Sequence, residues 1–223
     1  NQIILLLVVF TLLPFVLLRI VAYPIIQRDL KTVIMEDLEI TGHKQAELVS
    51  SWMRERMKDT LVVANNPYMA KSVEVTQKNK EYQGFLRYLE MVAAEYGYMG
   101  AFVSNEEGVI TVSTFEKIVG NNISKTDYFR NAIKGKTFTT GVVPSETPLL
   151  NEYGELEVDL PTMLVAAPLK DSDENIIGVV ALRIHLGILS NLMLSNKFGK
   201  TGETYLVNKD GFMLTESRFS KHL

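Results

Sequence analysis

Residues 3–18 are apolar at every position except Thr11, with Pro14 inside the run, and residues 20–26 resume it after Arg19. Carried to Ile26, the run is about 24 residues, roughly 36 Å of helix against a bilayer core of ~30 Å. The pattern predicts a transmembrane helix over 1–26. Pro14 is tolerated in such a helix because neighbouring groups take up the freed carbonyl. Arg19 and Tyr23 suit the headgroup level at one end. A cleaved signal peptide is the alternative, but no Ala-x-Ala-like site follows and the stretch exceeds a usual signal core.

Beyond Pro24 the pattern turns amphipathic. Leu30, Ile34, Leu38, Gln45, Val49, Met53, Met57, Leu61 and Ala64 recur three, four or seven apart, with Trp52 beside them and charges on the other faces. The spacing predicts a stalk helix over 27–64, about 57 Å long, weakened by Gly42 by ~1 kcal/mol relative to Ala. Its apolar stripe needs a cover. The following domain can supply one, and so can a second copy of the stalk in a homodimer.

Asn65-Asn66-Pro67 ends the rod, with Asn as cap and Pro at a first helical position. Helical periodicity returns through Phe85, Leu86, Leu89, Val92 and Ala93 and stops near Gly97. Strand patterns then follow over 98–104, 109–115, 136–143, 162–169 and 176–184, with a short helix over 126–134. An antiparallel sheet of five strands with helices to one side makes residues 65–185 an α+β module. A connecting helix is expected over 186–198, then a hairpin over 199–223.

Charge and composition narrow the function. A net charge of −3 gives no pull toward nucleic acid, and the absence of cysteine removes disulfides, thiol catalysis and Cys-based zinc sites. His43, His185 and His222 show no ligand spacing, so no metal is expected. Gly135-Lys136-Thr137 and Gly199-Lys200-Thr201 mimic the end of a phosphate loop, but the first glycine would fall on Arg130 or Leu194. No nucleophile elbow or paired catalytic carboxylates occur. The loop carrying Glu152, Glu155, Glu157 and Asp159 lacks the glycine and spacing of a calcium loop and reads as solvated. The stretch is expected to be non-enzymatic and without cofactor. A membrane-tethered structural or adhesive domain, or a periplasmic hydrolase, remains the alternative.

One internal echo stands out. Phe102-Val103-Ser104-Asn105-Glu106-Glu107-Gly108 aligns with Tyr205-Leu206-Val207-Asn208-Lys209-Asp210-Gly211 as aromatic, aliphatic, any, Asn, any, acidic, Gly. Many hairpins share this pattern, but its recurrence one module length later points to a duplicated fold.

Several segments together resemble the double Cache sensor domain. They are Ile123-Ser124-Lys125-Thr126-Asp127-Tyr128-Phe129-Arg130-Asn131-Ala132, Ala166-Ala167-Pro168-Leu169, Ile177-Gly178-Val179-Val180-Ala181-Leu182, and Gly199-Lys200-Thr201-Gly202-Glu203-Thr204-Tyr205-Leu206-Val207. The resemblance implies two PAS-like modules on a long helix, extracytoplasmic at the cell inner membrane of a signalling receptor. The second module is present only in its first hairpin. Since residue 1 is Asn, a fragment of a longer receptor is expected, with an output domain beyond Leu223.

The resemblance also locates a pocket in the first module. Amino-acid-sensing members carry Arg-x-Trp, Tyr-x-Asp and a late Asp where this chain has Thr126 and Tyr128, roughly Val143 and Ser145, and Arg183. The expected acid is replaced by a base and the expected base is gone, which argues against an amino-acid sensor. From the residues themselves, strand alternation puts Arg183 on the face of Val179 and Ala181. A partly buried guanidinium suits a planar anion. The expected ligand is a small carboxylate or other anionic metabolite on Arg183, with Tyr128, Thr126 and Thr140 adding polar contacts. The competing reading pairs Arg183 with Asp159, Asp171 or Glu174, or sends it to water.

Overall fold

The computed structural model describes residues 2–145, 148–150, 155–195, 202–215, 217 and 219. Glu152, residues 196–198 of the expected connecting helix and the segment 199–201 lie outside the described residues. Two compact units divide the chain, Asn1–Leu48 and Val49–Leu223.

In the first unit, helix α1 (Gln2–Leu17) contains Pro14 and passes through a π-helical turn (Leu18–Ala22) into α2 (Tyr23–Ala64). The π turn is closed by the Tyr23 N–H donating to the Leu18 carbonyl. Among the described residues this is the one helical run long and apolar enough to cross a membrane. Its flank is organised: Arg19 lies 4.5 Å over the Tyr23 ring, and Gln27 Nε2 donates to Tyr23 Oη at 2.8 Å. Leu30, Ile34 and Leu38 on the first part of α2 expose 57%, 42% and 44%.

In the second unit the remainder of the stripe is covered. Val49, Trp52, Met53, Met57 and Leu61 pack on a core that includes Val63 and Ala64. Asn66 then breaks the helix, its side chain accepting from the Tyr68 N–H. A 3-10 turn (Met69–Val73) stands where a longer helix after Pro67 was expected, and α3 (Tyr82–Tyr96) follows. Its buried Tyr82, Phe85, Leu86, Leu89, Val92 and Ala93 fall on one face, and Gly97 ends it at φ 71°.

The sheet uses β1 (Tyr98–Asn105) and β2 (Ile110–Ser113), then helix α4 (Asp127–Ala132), β3 (Phe138–Thr139) and β4 (Val143–Pro144). A small separate ribbon, β5 (Leu149–Leu150) with β6 (Leu156–Glu157), precedes β7 (Pro161–Lys170) and β8 (Ile176–Ile184). The order is β2-β1-β8-β7-β3, all antiparallel, with β4 also on β7. The sheet therefore has six strands where five were expected. The strand anticipated over 136–143 is interrupted because the Thr140 hydroxyl, not a backbone carbonyl, takes the Leu164 N–H.

Both faces of the central strands are covered. Val180, Leu182 and Ile184 face α3, whereas Val179 and Ala181 join Phe102, Tyr128, Phe129 and Leu164 in a second core beneath α4. Double burial explains why β7 and β8 read as nearly unbroken apolar runs. Pro168 fits inside β7 because alternate residues from Leu164 onward turn their backbone groups toward β3. The last β3 partner is Ala166, so the missing N–H falls past the end of that ladder.

Helix α5 (Leu186–Ser195) leads toward the second hairpin, where Val207 and Met213 form a single bridge instead of the expected strands. A two-stranded ribbon by itself holds little ladder. The echo is nevertheless exact in its turns: Asn105 Oδ1 accepts from Val109 N and Asn208 Oδ1 from Phe212 N, at 2.8 and 2.9 Å. Gly108 and Gly211 sit at φ 83° and 86°.

Candidate functional site

Between the second face of the sheet, α4 and the stretches 140–145 and 159–162 lies a cavity of about 460 Å³. Arg183, Tyr128, Thr126 and Thr140, the four residues expected from sequence, all line it. Volumes of this size hold small metabolites.

Each wall has a local cause. Strand alternation aims Arg183 into the cavity, where Nη1 donates to Thr162 Oγ1 at 2.9 Å. Leu164 is the cross-strand partner of Arg183, so Thr162, two residues earlier on β7, shares its face. Tyr128 comes from α4 and meets Phe102 edge-on, with centroids 6.3 Å apart. Thr126 is the N-cap of α4: its hydroxyl accepts from Phe129 N and donates to the Ile123 carbonyl. That hydroxyl holds the helix start. Thr140 Oγ1 accepts from Leu164 N at 2.9 Å.

The charges are unevenly placed. Arg183, 7% exposed, is the one charged side chain buried among the described residues. Lys125, Asp127 and Asp159 also line the cavity but are exposed. The floor is thus cationic and the rim mixed. Burial pulls the Arg183 guanidinium below the ordinary arginine value, and Tyr128 opposes this from nearby. Guanidinium keeps its proton even so. Of the acids weighed as partners, Asp171 caps the β7–β8 turn by accepting from Asp173 N and Asn175 N, and Glu174 pairs with Lys170 at 2.6 Å.

The polar lining residues Lys125, Asp127, Ser145, Asp159 and Thr162 were not singled out as ligand contacts from sequence. Lys125 directly precedes Thr126, so a base does stand beside the place where sequence comparison found none. Ser145 is 1% exposed and its hydroxyl has no hydrogen-bond partner among the described residues. Asp159 sits at φ 63°, in the left-handed region that costs a non-glycine residue, with its N–H donating to the Ser145 carbonyl. Only the register of β7 against β8 would have exposed Thr162, and nothing local marks Asp159.

A family model described as Cache domain matches residues 26–221. The sensor domain of the histidine kinase DctB from V. cholerae is similar at 16% identity and TM-score 0.51, over 70% of this chain and 59% of that one. The sensory domain of the Campylobacter jejuni chemoreceptor Tlp3 (CcmL) aligns at 15% identity and TM-score 0.60, over 85% and 74%. The same domain with isoleucine bound aligns at 16% and 0.55, over 77% and 65%. These likenesses concern the fold, and the chain spans less than two thirds of the DctB domain. No curated protein matches the chain.

Proposed function

The chain belongs to the Cache domain family, and from that premise we propose that it senses a small extracytoplasmic carboxylate for a transmembrane signalling receptor, binding it on Arg183. The observation that carries this reading is the buried guanidinium in the wall of a cavity whose other buried lining residues, among those described, are uncharged. Desolvating a cation is costly, and a planar anion with two acceptor oxygens offsets that cost best. Thr140, Tyr128 and Ser145 supply further hydroxyls around the same space. An adhesive stalk would need no such cavity.

The Tlp3 sensory domain has been solved with isoleucine and with L-valine, ligands that carry both a carboxylate and an amine. Among the described residues no carboxylate is buried to receive an amine, and the described acids stand at the rim. That favours an acid over an amino acid. The apolar helix at 2–22 fits a membrane anchor, with the ligand module outside the inner membrane. The exposed Leu30, Ile34 and Leu38 support a homodimer along the stalk, and the paired Asn–Gly turns support a second PAS-like module begun over 199–223. Domain limits at 26, 64, 185 and 198 go with this reading.

Binding of the full chain in detergent to a panel of organic acids tests the proposal. Arg183→Ala is expected to lower affinity for the best acid by about thirtyfold or more, as loss of a buried charge-assisted pair does. Equal affinity in wild type and variant removes Arg183 from the site.

A further inference from the structure

A second cavity of about 400 Å³ lies against the same arginine. Arg183 is the one lining residue the two cavities share among those described. The first is rich in hydroxyls, whereas the second is walled by Met99, Phe102, Phe115, Ile118, Leu149 and the small Ala94. Phe102, which lines the second chamber, and Tyr128, which lines the first, meet edge-on with centroids 6.3 Å apart.

Gly100 is the cross-strand partner of Arg183, and directly opposed residues in an antiparallel ladder project from the same face. A side chain there would crowd Thr114 rather than the guanidinium. A Cβ at Gly100 would come within 2.8 Å of Thr114 Oγ1, which the Ala101 N–H already holds at 3.0 Å. A glycine inside a strand marks a place where something approaches closely.

We propose that the two chambers form one site, and that the ligand carries an apolar arm beside its carboxylate. The carboxylate rests on Arg183 at the junction, and the arm enters the chamber of Phe102, Phe115 and Ile118. This rests on the carboxylate reading above and adds the class of acid: an arylalkyl or medium-chain alkyl carboxylate rather than a short, fully polar one. An arm of this kind removes apolar surface from water on both partners, whereas acetate leaves the second chamber unused.

The test uses three probes on the full chain in detergent: acetate, 3-phenylpropanoate and 3-phenylpropanol, measured by equilibrium dialysis. Wild type is expected to bind 3-phenylpropanoate about tenfold or more tightly than acetate. Ala94→Leu, an exposed position on the wall of the second chamber, fills that chamber without touching the core. It should abolish the advantage of the aryl acid and leave acetate unchanged. Arg183→Ala should weaken both acids. If both acids depend on Arg183 but bind alike, or if Ala94→Leu leaves the preference intact, the two-chamber inference is overturned and the carboxylate reading stands. If the alcohol binds as well as the acid, or no acid binds, the carboxylate reading fails and takes the inference with it.

Discussion

The Tyr98 hydroxyl donates to Asp59 Oδ2 at 3.0 Å, joining the first residue of β1 to the last turns of α2. The same carboxylate oxygen lies 3.3 Å from Arg56 Nη2. Arg56 in turn stands over the rings of Trp52 and Tyr98, at 5.7 and 5.4 Å, and Nη1 donates to the Tyr96 carbonyl. Tyr98 pairs across the sheet with Ile184, the residue after Arg183. The helix that leads into the module is therefore clasped to the end of the sheet that carries the cavity arginine. Ligand-dependent motion of this clasp is the kind of small helix shift that two-state receptors use.

Removing the clasp should cost stability in a graded way. Tyr98→Phe deletes one hydrogen bond but leaves Asp59 paired with Arg56, a loss of about 1 kcal/mol. Asp59→Ala strands the buried phenol and takes the carboxylate from Arg56, so it should cost more, about 2 kcal/mol. Urea titration of the full chain in detergent orders the two. An equal or reversed order would mean the carboxylate is not the centre of the clasp.

Alkaline pH gives the same contact a second signature. Burial, with Asp59 nearby, raises the Tyr98 phenol well above its ordinary value, despite the opposing pull of Arg56. A raised phenol favours the neutral form in the folded state, so its contribution is whole below about pH 10. It is lost as pH climbs past that value toward the folded one. Burial raises Tyr82 in the same direction. Midpoint temperatures should fall on passing from pH 9 to pH 11, and Tyr98→Phe should reduce that fall without abolishing it.

The apolar periods were the legible part of this chain. They placed α3, β7 and β8 to within a residue or two, because Leu89 or Val180 is buried by the period it belongs to and not by a distant partner. The face of Arg183 followed from alternation alone. What pattern could not supply was the irregular wall around 138–145 and at Asp159. There Thr140 replaces a ladder partner with its side chain, and Asp159 adopts a left-handed turn set by a bond to Ser145. Thr126 and Thr140 were read as ligand contacts because hydroxyls near an arginine look like one. Each also carries a backbone bond that no sequence window reveals.

Thr126 separates capping from binding. Thr126→Ala removes the acceptor for Phe129 N and should destabilise the fold by about 1 kcal/mol, whereas Thr126→Ser should restore most of that. If the hydroxyl serves mainly the helix, acid affinity of the alanine variant stays within about threefold of wild type once it is measured well below the unfolding transition. A tenfold loss that serine repairs would instead place the hydroxyl on the ligand.

At the centre of the sheet, Gly178→Ala should be among the costliest small changes. A Cβ there would press on the Ser104 carbonyl and reach 2.9 Å from Val73 Cγ1. The first neighbour is backbone in the adjacent strand and cannot swing aside, so β1 and β8 would have to separate. A loss of about 3 kcal/mol is expected for this overpacking, read as a lower urea midpoint. A loss near zero would show that the ladder between Asn105 and Gly178 yields easily.

Ser145 should split stability from binding with opposite signs. Its hydroxyl is enclosed at the cavity wall without a hydrogen-bond partner among the described residues, and an unsatisfied buried hydroxyl costs about 1–3 kcal/mol. Ser145→Ala removes that cost, so the ligand-free protein should melt higher. If the hydroxyl is instead held in reserve for a ligand oxygen, the same change removes a donor from the bound state and affinity for the best acid should fall about fivefold or more. Thermal melting without ligand and dialysis with it measure the two effects separately. A variant that gains stability and keeps its affinity would make Ser145 a bystander, and a variant that loses stability would mean the hydroxyl is already satisfied in the resting protein.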